Sequence, residues 1–176
     1  YLCVFSSNLF NRSDESEVDE LTNPVRVKIM NKYVSNFYWI SIFCIGISVA
    51  LILFYSNLWA LGFATTIFLL AILYTSVFKN LTKYVVGFKS MIAAFYYALV
   101  VILMAIYYSV PTDMAVILIF LFYYSRIFIS NAVCDVKDID GDRKRGLKTI
   151  AIALGEKGSM KFLNMLNIFS GLILVF

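Results

Sequence analysis

Asn11, Glu15, Asp19 and Asn23 recur at every fourth position near the start of the chain, and Arg26 follows in Asn23-Pro-Val-Arg26. On a helix this spacing puts four oxygen-bearing side chains on one face. A second set comes late: Asn131, Asp135, Asp138 and Asp142 step by four, three and four. They again share a helical face, with Asp140 pointing away, and Gly141 and Gly146 mark where the helix frays into a loop. Like charges on one face repel by about a few tenths of a kcal/mol per pair even when exposed, so an offsetting cation is expected. Mg2+ suits the task, because it takes oxygen ligands, keeps several waters, and is usually shared between one or two carboxylates and substrate phosphates. Lys79, Lys83, Arg143, Lys144 and Lys148 lie near enough in sequence to add positive charge beside a bound diphosphate. The bland alternative is a pair of solvated loops whose charges mark a membrane boundary; two Asn-led stripes at helical spacing weigh against it.

Other chemistries lack residues. The 176 residues contain no histidine, which removes an imidazole base and a His-ligated metal. The three cysteines, Cys3, Cys44 and Cys134, fit neither a paired disulfide framework nor metal-ligand spacing. Carboxylates, amides, amines and hydroxyls remain.

The elements that must position these groups are apolar. Hydrophobic residues make up 61% of the chain and charged residues 15%, against about 25% charged in soluble domains. All charges but Asp113 and Arg126 fall in Arg12 to Lys32, Lys79 to Lys89 and Asp135 to Lys161. Between Tyr33 and Phe78 lie 46 uncharged residues, enough for two crossings at about 20 residues each, with Ser56 and Asn57 as the hinge. The pattern predicts an all-α, polytopic transmembrane helical bundle forming one membrane domain over residues 1–176. Full spans are expected at about 34–55, 58–78, 90–110 and 114–134, partial ones at 1–10 and 162–176, and motif loops at 11–33 and 135–161. The uncharged, truncated ends predict an internal piece of a longer protein.

Lysine and arginine accumulate in cytoplasmic loops. With alternating sides, the three charged segments share one face and hold 14 of the 15 basic residues, which makes that face cytoplasmic or its organellar equivalent. Ten of the 11 acids lie there too, so the net charge of +4 reflects topology, and no nucleic-acid platform is visible. Arg126 inside a span is either functional or snorkels or pairs with a neighbouring helix. Lys28 and Lys32 read as interface anchors, and Asp113 as a helix cap.

Asn11-x-x-x-Glu15-x-x-x-Asp19 with Asn23-Pro-Val-Arg26, and Asp135-Val-Lys-Asp138-Ile-Asp-Gly-Asp142-Arg-Lys-x-Gly-x-Lys148-Thr149 running to Leu154-Gly155, resemble the two aspartate-rich motifs of the UbiA superfamily of intramembrane prenyltransferases. Tyr74-Thr75-Ser76 with Lys79 is similar to the Tyr-Ser and lysine segment that family carries after its fourth helix. The family usually has Asp where this chain has Glu15, and the adjacent Asp14 leaves two registers open. The resemblance implies the stretch from the end of helix two to the start of helix seven of a nine-helix bundle, with a cavity capped by the motif loops and a lipid-open tunnel for the prenyl tail. It implies Mg2+ on Glu15, Asp19, Asp135, Asp138 and Asp142, and an isoprenyl diphosphate on Asn11, Arg26, Lys79, Lys83 and Arg143. Asp135, Asp138, Asp142, Lys148 and Tyr74 become the catalytic set for transfer of the prenyl group to an aromatic or other lipophilic acceptor within the bilayer.

That chemistry fits the residue types on its own terms. Ionising an allylic diphosphate puts negative charge on the leaving group, which a metal and Lys or Arg stabilise. A carbocation must be kept from water, and the chain has 12 Tyr and 16 Phe among its apolar helices. A cation-coupled transporter segment is the competing reading, but transporter carboxylates sit at the midplane on broken helices, and here they cluster at the membrane boundary. The Asp-Gly and Ala-Arg pattern of a CDP-alcohol phosphotransferase is absent.

Overall fold

Asn57 interrupts the long apolar run by capping: its Oδ1 accepts a hydrogen bond from the Ala60 N–H at 2.9 Å, and one helix ends at Tyr55 while the next starts at Leu58. The computed structural model describes residues 5–6, 24–76 and 78–173. Among them are six α-helices and no strand: α1 (Pro24–Tyr55), α2 (Leu58–Ser76), α3 (Phe88–Tyr107), α4 (Met114–Lys137), α5 (Ile139–Lys144) and α6 (Ile150–Leu172), with a 3-10 helix at Phe78–Lys83 between α2 and α3. Pro24 opens α1, where its fixed φ and missing N–H are harmless. Asp113 caps α4 by accepting from the Val116 N–H at 3.1 Å, as expected from its place after Pro111 and Thr112. α3 and α4 are long and apolar enough to cross a membrane; Trp39–Tyr55 and Leu58–Ala71 are shorter apolar stretches.

Residues 135–161, expected as a loop, are mostly helical. Thr149 caps α6 by accepting from the Ile152 N–H at 3.3 Å, so helix begins at Ile150, well before the apolar stretch at 162. Gly155, at φ 68° and ψ 171°, breaks α6 into a short leading turn and a long trailing helix. This left-handed value is one glycine tolerates and other residues rarely adopt.

The chain divides into two compact units, residues 1–71 and 72–176. In the first, Ile45, Ser48, Val49 and Ile52 of α1 and Leu61, Ala64, Thr65 and Phe68 of α2 line an apolar cavity of about 170 Å³. Of this unit's buried serines, Ser48 Oγ donates to the Cys44 carbonyl one turn back at 2.8 Å, and Ser41 Oγ donates to the carbonyl of Ser6 at 2.7 Å. In the second unit α4 packs against both α3 and α6. The fully buried Ala94 and Ala98 leave room on α3 for a close neighbour. Ala94, Phe128, Ala132, Ile150 and Leu163 form its core, and Tyr124 stacks on Phe128 with ring centroids 6.3 Å apart. This core fixes the ends of α3, α4 and α6 relative to one another, and the site lies at those ends.

Candidate active site

Gly87 is the N-cap of α3, and its φ of 71° suits glycine. The Gly87 N–H donates to the Lys148 carbonyl at 2.8 Å, and the Lys148 N–H donates to that of Thr82 at 2.9 Å. A Cβ at position 87 would sit 2.9 Å from Ile150 Cγ1. The segment before α3 is thereby fastened to the segment before α6, which places Lys89 and Ser90, in the first turn of α3, beside the end of α4.

There Asp135 and Asp142 converge on one ammonium group. Lys89 Nζ lies 3.0 Å from Asp135 Oδ1 and 3.3 Å from Asp142 Oδ2, and 3.4 Å from Asp142 Oδ1. Ser90 Oγ donates to the other oxygen of Asp135, Oδ2. Both aspartates are buried, at 4% and 1% exposure. They reach the same point because helical hydrogen bonding runs across the α4–α5 junction: the Asp138 N–H donates to the Cys134 carbonyl at 3.2 Å and the Asp142 N–H to that of Asp138 at 2.9 Å. Seven residues then make about two turns, which returns position 142 to the side of position 135. The Leu147 N–H donates to the Asp142 carbonyl at 3.0 Å, and Gly146, at φ 68°, turns the chain back toward Thr149.

The electrostatics of the pair pull in both directions. Two buried carboxylates share one ammonium, with the Arg145 guanidinium also acting on Asp142, and buried charge that is not fully compensated is costly. Burial pushes the Asp142 carboxyl above its ordinary range; Lys89 draws it back down, Asp135 pushes it up again, and Arg145 draws it down. A divalent cation is one way to compensate both carboxylates. One turn back on α4, the Asn131 side-chain nitrogen is buried without a hydrogen-bond partner.

The other expected site residues lie differently. Asp138 is the exposed C-cap of α4. Arg143 is exposed and pairs with exposed Asp140 at 3.8 Å. Lys83, Lys144 and Lys148 have exposed side chains, and Lys148 serves the site through its backbone. Asn11, Glu15 and Asp19 lie outside the described residues, as do the side chains of Arg26, Tyr74 and Lys79. Among the described residues no group of three or more acidic or thiol side chains is placed to hold a metal ion; the site there is a carboxylate pair with a lysine between. Lys89 and Ser90 were absent from the sequence-derived set. The available signal was a lysine at the second position of an otherwise uncharged 20-residue helix. Arg126, in the middle of α4, hydrogen-bonds Asn167 Oδ1 on α6, so it pairs with a neighbouring helix.

Among the described residues the chain is all-α, with two helices of membrane-crossing length and a pair of buried carboxylates where α4 runs into α5. The model of the UbiA prenyltransferase family matches residues 1–176, and the chain belongs to that family. Among curated proteins it is similar to the digeranylgeranylglyceryl phosphate synthase of Sulfolobus acidocaldarius, with 29% identity over 149 residues, 81% of this chain and 50% of that protein. The chain thus spans about half the length of this relative. No solved structure matches it.

Proposed function

We propose that this chain carries the diphosphate-ionising site of a Mg2+-dependent prenyltransferase, which moves a prenyl group from an isoprenyl diphosphate to a lipophilic acceptor in the membrane. The observation that carries the reading is the convergence of Asp135 and Asp142 on a single cationic point. The donor set fits the metal: both groups are hard oxygen donors, a cation already stands between them, and two carboxylates with water and substrate phosphate are what Mg2+ commonly takes.

Asp135, Asp138 and Asp142 would hold the metal, with Glu15 and Asp19 contributing from the first motif. Bound Mg2+ supplies charge stabilisation to the departing pyrophosphate. The chain's own residues do the rest. Arg26, Lys79, Lys83, Arg143 and Lys148 neutralise the diphosphate oxygens, with Asn11 hydrogen-bonding to them. The C1–O bond breaks, its electron pair leaving with the pyrophosphate, and Tyr74 would stabilise the allylic cation that results. Apolar helices exclude water until a nucleophilic atom of the acceptor bonds to C1 and gives up a proton. The motif segments lie at the cytoplasmic or equivalent face, where the basic residues cluster, and the spans cross the bilayer several times.

The similar protein is named for a glyceryl phosphate bearing two geranylgeranyl groups, so geranylgeranyl diphosphate with a singly prenylated glyceryl phosphate is the first donor and acceptor pair to supply. Membranes holding the full-length protein should form the doubly prenylated product, lose it with EDTA and recover it with Mg2+. Turnover that survives chelation would rule out the metal role. Turnover with an aromatic acceptor in place of the glyceryl phosphate would reassign the acceptor.

A further inference from the structure

We propose that Lys89 is an internal cation that holds Asp135 and Asp142 together before the metal arrives, then yields those oxygens and pairs with the diphosphate. This rests on the reading of the site given above. One Nζ contacts Oδ1 of Asp135 and both oxygens of Asp142. A Mg2+ ion ligated by those oxygens at about 2.0–2.1 Å would stand where the ammonium stands, and the two cations repel. Lys89 must therefore leave.

The surroundings permit it to leave without disordering the pair. The Lys89 side chain is 34% exposed while those of the aspartates are 5% and 2% exposed, so the flexible partner is the lysine. Its four-carbon stem turns freely about a backbone that the Gly87–Lys148 hydrogen bond holds in place. Asp135 keeps the Ser90 hydroxyl on Oδ2 when Oδ1 is given up, and its orientation survives the exchange. Charge favours the order of events. The two carboxylates and the ammonium between them sum to minus one; exchanging the ammonium for a divalent ion brings the carboxylate pair to neutral, and the released ammonium is free to meet an incoming diphosphate.

The consequence has an uncommon sign: removing a positive residue from a metal site tightens metal binding. Full-length protein in nanodiscs is titrated with Mn2+ followed by electron paramagnetic resonance, in wild type and in Lys89→Met and Lys89→Arg. Lys89→Met has no ammonium for the metal to displace and should bind Mn2+ about tenfold more tightly without diphosphate, a difference of about 1.4 kcal/mol. The same variant should bind inorganic pyrophosphate about tenfold more weakly once metal is saturating. Lys89→Arg should restore wild-type metal affinity.

A readout on the wild-type protein avoids reliance on the variants folding. Acetylation of Lys89 by acetic anhydride, followed by mass spectrometry, should rise when Mn2+ is added and fall again when pyrophosphate follows. Unchanged or weaker Mn2+ binding by folded Lys89→Met, or labelling indifferent to metal, overturns the role of Lys89 and leaves the function proposed above intact. Wild-type protein that binds no Mn2+ with or without pyrophosphate overturns both.

Discussion

Replacing Asp142 by asparagine should leave the metal-free protein no less stable than wild type while abolishing stabilisation by Mg2+. Asp142 is buried, and its carboxyl is raised above its ordinary value because burial outweighs the pull of Lys89. A raised acid favours the proton in the folded state. Its charge therefore opposes folding above the folded-state pKa, and metal-free wild type gains stability as pH falls through that value toward the unfolded one. The substituted amide carries no charge and removes this opposition, while Lys89 keeps Asp135 at 3.0 Å. With Mg2+ at about a hundred times its Kd, wild type gains about 2.7 kcal/mol. At about 2 °C per kcal/mol for chains of this size or larger, that is a rise in Tm of roughly 5 °C. The assay is thermal unfolding of the full-length protein in detergent at neutral pH, with EDTA and then with Mg2+. A variant that keeps the full Mg2+ shift, or that melts well below wild type in EDTA, refutes the reasoning.

Gly87→Ala should disturb the site from outside it: a left-handed backbone costs an L-residue about 1–2 kcal/mol and the new methyl would meet Ile150 Cγ1 at 2.9 Å, so lower Tm and weaker Mg2+ binding are both expected. Asp138→Ala and Asp142→Ala should each lower turnover by about 10²-fold or more, whereas Asp140→Ala, whose side chain is 85% exposed and pairs with exposed Arg143, should stay near wild type in a pyrophosphate-release assay. Glu15→Asp should retain more activity than Glu15→Ala if Glu15 is the first-motif ligand; equal losses would move that role to Asp14.

What the sequence made legible was whatever local chemistry decides. The Ser56–Asn57 hinge and the Asp113 cap follow from side chains that bond their own neighbouring backbone, and both appear where their types predict. The seven-residue spacing that pairs Asp135 with Asp142 is a property of helix period, and it survives because hydrogen bonding continues across Asp138. Asp138 falls on the same face by period, but as the C-cap that follows α4 it is exposed, which periodicity does not encode. Lys89 reaches Asp142 across 53 positions, through a turn stitched by backbone groups of Thr82, Gly87 and Lys148. Such stitching uses main-chain atoms every residue has, so composition carries no trace of it. The helix at Ile150 was obscured because charges at Glu156, Lys157 and Lys161 resemble a loop, although Thr149 ahead of an apolar run is a capping signal.

The central claim, that Asp135 and Asp142 form a metal and diphosphate site, is tested most directly by pyrophosphate release from geranylgeranyl diphosphate in membranes holding the full-length protein. Wild type should release pyrophosphate in the presence of Mg2+ and an acceptor, with release lost under EDTA and in Asp142→Asn. Release that continues at the wild-type rate in a folded, inserted Asp142→Asn protein would contradict the account.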